Sequence, residues 1–204
     1  VNVCVERVNG LDNASNASGP TPSREPRYER FKEMAEILRE LQVADALELG
    51  AAPCEPGTKG SMQSGHDLVL RLKPQKELAE NIARLQGLLG VKMVNNQLRL
   101  TNNFLNRPEN GLAVRTRSMM GILFYLSHNS EVPAVHKEAG LVTQTKGKDD
   151  SDFDWNKVTG GLFRVRSAAS KPPRPFVAVP YRGNWFYIAD NDLESKSTFM
   201  LLTQ

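Results

Sequence analysis

The sequence has two cysteines, Cys4 and Cys54, in 204 residues. That count allows one disulfide at most, so no disulfide framework holds the chain. It has three histidines, His66, His128 and His136. Two scattered thiols and three scattered imidazoles lack the spacing of a structural zinc site. His128 and His136 could meet near the end of a helix, but no third ligand accompanies them. No apolar run approaches the ~20 residues that a membrane-spanning helix needs. The longest, 119–126, contains Gly121. Residues 1–20 also lack the basic start and apolar centre of a signal peptide. Sparse cysteine leans towards a cytoplasmic setting. The first residue, Val1, keeps export with a removed leader open.

Several chemical signatures are missing too. Gly147-Lys148 runs into Asp149, and position 142 is Val, so the phosphate-loop pattern fails. The glycines at 57, 60 and 65 do not follow a strand in dinucleotide-binding spacing. There is no G-x-S-x-G, and no serine stands three residues before a lysine, which removes the common serine nucleophiles. Cys54 sits in a Pro/Gly loop without the electropositive setting that a reactive thiolate needs. No cofactor is expected.

What is present describes a globular protein. Hydrophobic residues make up 40% and charged residues 24%, as in ordinary folded domains. A chain of this length buries roughly 70% of its unfolded surface. Residues 1–26 read as a flexible N-terminal arm, because 9–26 are small and polar with Gly and Pro. The arm holds two N-glycosylation acceptors, Asn13-Ala14-Ser15 and Asn16-Ala17-Ser18. Residues 27–100 read as a half made of helix, strand, helix and hairpin. The helix from 27 to about 50 carries Tyr28, Phe31, Ala35, Leu38 and Leu41 at three- and four-residue steps. A strand alternates over 66–73, and a second helix closes on Gly90. Asn95-Asn96 turns a hairpin between 91–94 and 97–100.

Residues 101–111 form a connecting loop. Residues 112–204 read as a helix, a three-stranded sheet and a C-terminal helix, and the two halves stand as one domain or two. The helix over 119–126 is apolar nearly all round, which predicts a buried central helix. Near the C-terminus, 176–181 and 184–189 flank Arg182-Gly183 as a hairpin, with Pro180 marking an edge strand. Asn191 with Glu194 predicts the start of the last helix, which packs Phe199, Leu201 and Leu202 on the sheet. The fold class expected is α+β, with a mainly antiparallel sheet and four to five helices.

Two constellations could carry function. From 155 to 182 the basic residues are Lys157, Arg164, Arg166, Lys171, Arg174 and Arg182, with no acid. The acidic stretch Asp149, Asp150, Asp152 and Asp154 precedes them as a solvated loop. Aromatics interleave with the cations: Phe163, Tyr181, Trp185 and Tyr187. Arg164, Arg166, Tyr181, Arg182 and Trp185 are the candidate binding residues, because arginines contact phosphates and aromatic rings on a sheet stack bases. The bland reading packs the rings in a core beneath a basic outer face. The second constellation is Asp190, Asp192, Glu194 and Lys196 after a strand. With Asp67 it could hold a divalent ion for hydrolysis. Its mundane reading is helix capping.

The leading expectation is a non-catalytic binding or assembly module. Its C-terminal sheet meets a protein partner or a second copy, because a hairpin apolar on both faces must bury both. The alternatives are a nucleic-acid or anion binder using the basic sheet, and a metal-dependent hydrolase at Asp190, Asp192 and Glu194.

Overall fold

In the computed structural model, which describes residues 3–53 and 66–203, the first helix, α1, spans Glu29–Val43. Its buried side is Phe31, Met34, Ile37 and Leu41, a helical period turned slightly from the one expected. The helix stops earlier than its sequence suggests. Asp45 takes a left-handed φ of 53°, and Ala46 donates its N–H back to Leu41 O. Leu47–Pro53 then runs as strand β3. Its Leu, Glu and Ala are helix formers in isolation. Seven antiparallel pairings with β4, His66–Leu72, override that preference. The expected loop over 51–65 therefore begins as strand. Cys54 and the glycines at 57, 60 and 65 lie outside the described residues.

Chain order continues with α2, Ala79–Leu89, closed by Gly90 at φ 59°. Asn95 and Asn96 both adopt positive φ and turn the chain into β5, Gln97–Thr101. The expected partner strand over 91–94 is only a bridge from Val94 to Gln97. Strand β6, Gly111–Thr116, lies beside β5 in parallel. Only residues 102–110 connect them, shorter than the dozen or more usual for a parallel crossover. The connection closes tightly on Gly111, whose N–H bonds Pro108 O. A Cβ there would stand 2.9 Å from that same oxygen, so glycine is required.

The stretch expected as an arm supplies two more strands. β1, Val5–Val8, pairs with β6. β2, Leu11–Asp12, pairs with β1. Asn9 and Gly10 turn between them with positive φ. Val8 and Leu11 are core residues. Of the two acceptor asparagines, Asn13 is buried and donates to Val5 O, while Asn16 is exposed. The six strands run β2-β1-β6-β5-β4-β3. Their core joins leucines of β4 and β5 to the apolar faces of α1 and α2.

The described residues divide into two compact units, Val1–Asn13 with Arg27–Thr116, and Ala14–Pro26 with Arg117–Gln204. The second unit begins with α3, Met119–Ser127, capped by Ser118 Oγ, which accepts the Gly121 N–H. Tyr125 and Leu126 are buried, but Met119, Met120 and Leu123 are exposed. This corrects the expected buried central helix: apolar all round, α3 buries one side only. Two short helices follow, α4 (Ala134–Glu138) and α5 (Asn156–Thr159). The second sheet is antiparallel, with β9 (Asn184–Ala189) between β7 (Arg166–Ala168) and β8 (Pro175–Tyr181). The last helix, α6, is Leu193–Leu202. The fold is α+β, with six α-helices among the described residues and one of its two sheets mixed. No helix among them is long and apolar enough to cross a membrane.

Candidate functional site

The hairpin β8–β9 turns on Arg182 and Gly183, both with positive φ. This is the two-residue turn whose twist matches that of the strands. It sets the register from which each candidate side chain takes its face. Tyr181 pairs with Asn184, Pro180 with Trp185, Val179 with Phe186 and Ala178 with Tyr187. On the other side of β9, Ala168 pairs with Trp185 and Arg166 with Tyr187. Directly opposed residues share a face, and successive residues alternate. Trp185, Tyr187, Arg166, Ala168, Ala178 and Pro180 therefore lie on one face. Tyr181, Phe186, Val179 and Ser167 lie on the other.

The five candidate binding residues thus do not form one cluster. Arg166 and Trp185 share a face. Tyr181 is on the opposite face, where its ring meets Phe186 at 6.3 Å. Arg182 sits at the turn, its guanidinium over the Tyr181 ring and its Nε donating to Tyr181 Oη. Arg164 precedes β7. Its backbone N–H bonds Ser195 Oγ, and its guanidinium points to Asn156 Oδ1 at 3.5 Å. The α4 residue His136, which is buried, covers the Phe186 face. Its ring stacks on Phe186, and its Nε2 lies 3.5 Å from Arg182 O and 3.4 Å from Asn184 Nδ2.

The Trp185 face is half-exposed. Trp185 and Tyr187 are partly accessible, and the residues beside them on β7 and β8 are alanine, proline and one arginine. Lys171 reaches over Trp185, with Nζ 5.5 Å from the ring centre. Sequence reading did not place Lys171 or Tyr187 among the binding residues. Counting outward from the two-residue turn would have paired Trp185 with Pro180 and separated it from Tyr181.

The stretch that forms this sheet, 155–189, holds no acid. Elsewhere some cations meet acids, as Arg7 and Arg27 do with Asp12, Arg84 with Glu33, Arg99 with Asp67, Lys137 and Lys146 with Asp152, and Arg24 with Asp150, while Arg39, Arg71, Lys92 and Arg115 do not among the described residues. Among the described residues, Arg164, Arg166, Lys171, Arg174 and Arg182 have no acidic partner at ion-pair distance. At the edge of β7, Glu131 Oε2 accepts the Ser167 N–H. That bond, with the bridge from Ser130 to Val165, occupies the outer edge of β7. The edge of β8 carries exposed Val179, Pro180 and Tyr181.

The acidic constellation resolves into helix capping. Asp192 is the N-cap of α6, one residue later than expected. It accepts from Ser195 N at 3.1 Å and Ser195 Oγ at 2.9 Å. Lys196 Nζ is bound by Asp190, through Oδ1 at 2.8 Å and the backbone O at 3.0 Å. Glu194 is exposed in the first turn. Asp67 belongs to the other unit, ion-paired with Arg99. Among the described residues no three His, Cys, Asp or Glu side chains come together as a metal site. Polar contacts also anchor α6, for Thr198 Oγ1 donates to Leu162 O. Of the apolar set expected on the sheet, Phe199 meets Phe176 edge-on at 6.0 Å, whereas Leu201 is exposed.

His128 has different partners from His136. Its Nδ1 bonds Phe124 O at 2.7 Å, and its ring lies 4.1 Å from that of Trp155. A carbonyl only accepts, so Nδ1 carries the proton in the neutral ring. Nε2 is buried without a partner. Burial holds the imidazole below its usual pKa. His128 borders a cleft of about 540 Å³ that Trp155, Phe153, Asn156 and Asp152 also line.

Compared with protein-family models, curated proteins and solved structures, the chain gives no significant match to any.

Proposed function

We propose that this protein is a non-catalytic binding module whose C-terminal sheet holds an anionic polymer. The observation that carries the reading is a group of cations concentrated where the sequence has no acid. Arg164, Arg166, Lys171, Arg174 and Arg182 stand on or beside three strands in a stretch, 155–189, that has no acid. A cation without a counter-charge is hydrated in the free protein, and it binds phosphate or sulfate groups by releasing their counterions. The arrangement supports binding and not turnover, since Asp190, Asp192 and Lys196 are engaged in capping and in one another.

Binding to heparin or polyphosphate tests this. For four phosphate-like contacts on a single-stranded polymer, the slope of log K against log salt is about −3. Replacing Arg166, Lys171 and Arg174 together by glutamine should flatten it to near −1. Weak binding that is indifferent to salt removes the proposal.

A second reading has its own observation. The open edge of β8, with Val179 and Tyr181 each 57% exposed, fits strand addition by a second copy or another protein. Sedimentation tests self-pairing: a strict monomer across micromolar concentrations removes a second copy from that edge.

A further inference from the structure

The polymer class can be narrowed from the two aromatic rings, and this inference rests on the binding reading above. Trp185 and Tyr187 are two residues apart on β9, the central strand, and share a face. Alternate residues on a strand are separated by about 6.8 Å. A stacked strand advances about 3.4 Å per base. Two bases lying on these two rings therefore come from an extended, unstacked strand, and a duplex does not present them.

The surroundings suit that use. The residues directly opposite the rings are Ala178 and Pro180 on β8 and Ala168 and Arg166 on β7. Three of the four are small or flat, so the ring faces are not walled in by long neighbours. The fourth, Arg166, is a cation beside Tyr187, placed to meet a phosphate flanking the stacked base. Lys171 is exposed, has no acid partner, and covers Trp185 with the end of a flexible stem. A phosphate can draw that ammonium away and leave the indole to a base. Both rings remain partly accessible.

We infer that the β7–β9–β8 sheet binds single-stranded nucleic acid, with two neighbouring bases stacked on Trp185 and Tyr187 and the backbone held by Arg166 and Lys171. Stacking on an aromatic side chain is sequence-tolerant, because every base offers a π-face. The expected ligand is thus a single strand without strong sequence preference.

The test compares three probes on the unaltered protein at one salt concentration: a 12-nucleotide oligo-dT, the matching oligo-U, and an abasic deoxyribose-phosphate strand of the same length. Loss of two stacked bases should weaken the abasic strand by at least about 10-fold, since alanine substitution of one stacking side chain costs about 5- to 100-fold. Tighter binding of either oligo-dT or oligo-U supports the inference and sorts DNA from RNA. Equal affinity for all three overturns it and leaves polyanion binding standing. No binding by any of them, together with none of heparin, overturns both. Trp185→Phe keeps an aromatic face, so affinity should stay within about 3-fold while the tryptophan quench on binding shrinks. Tyr187→Leu, if its far-UV spectrum shows it folded, should lose about 5-fold or more for oligo-dT and little for the abasic strand. An equal loss for both strands counts against stacking.

Discussion

Ser195→Ala tests whether the Asp190–Lys196 segment serves the backbone or a reaction. Ser195 is fully buried. Its Oγ donates to Asp192 Oδ2 at 2.9 Å and accepts the Arg164 N–H at 2.8 Å. One hydroxyl thus joins the start of α6 to the chain just before β7. Removing it strands the Arg164 amide, and an orphaned buried donor costs about 1–3 kcal/mol. It also frees one oxygen of the N-cap carboxylate, and a weakened cap adds up to about 1 kcal/mol. The expected loss is therefore about 1–4 kcal/mol. With a urea m-value near 2 kcal/mol/M, the midpoint falls by about 0.5–2 M. Both tryptophans, Trp155 and Trp185, belong to the same unit as Ser195, so tryptophan emission reports its unfolding. Asp192→Asn retains an acceptor and should cost under about 1 kcal/mol. Millimolar Mg²⁺ should leave the midpoint of the unaltered protein unchanged. A Ser195→Ala variant within about 0.5 kcal/mol of the parent, or a clear rise in stability with Mg²⁺, refutes the capping argument and revives the hydrolase.

Two further outcomes follow from single side chains. His128 is held neutral by burial, with its pKa lowered in the folded state. The unfolded chain takes up that proton near pH 6.5. The stability contributed by the neutral ring is therefore complete above that pH, and it declines as pH falls from about 6.5 towards the lower folded value. His128→Gln should remove this part of the pH dependence between 7.5 and 5.5 in urea titrations; an unchanged dependence contradicts it. Arg182 occupies a left-handed position at φ 48°, which disfavours a long side chain by about 1 kcal/mol, whereas asparagine suits the first position of such a turn. Arg182→Asn should raise the thermal midpoint by a few degrees while lowering heparin affinity, and a fall in the midpoint would count against the turn argument.

Local sequence determined whatever depends on residues within one turn of each other. Gly90 ends α2 because a left-handed residue is cheapest as glycine. Asn95-Asn96 and Arg182-Gly183 turn where positive φ was expected, and the strand flanking each second residue follows. Asn9-Gly10 carries an equally good hairpin signal, masked by the small polar residues that follow it. The carboxylates before α6 were legible as caps, off by one residue. Pairing decided the rest. β3 opens on the helix formers Leu47-Glu48-Leu49 and becomes a strand because β4 offers it a continuous ladder. β1 lies in a stretch read as an arm and β6 at the start of a half read as opening on a helix, and they become strands by pairing with each other and, for β6, with β5. β5 and β6 are parallel because the connection folds back through Pro108 onto Gly111. The face on which each aromatic lies was decided in the same way. Tyr181 and Trp185 are close in sequence, yet a two-residue turn and a two-residue alternation send them to opposite sides of the sheet. Composition alone located the cations, but which of them would find an acid depended on elements brought together across the fold.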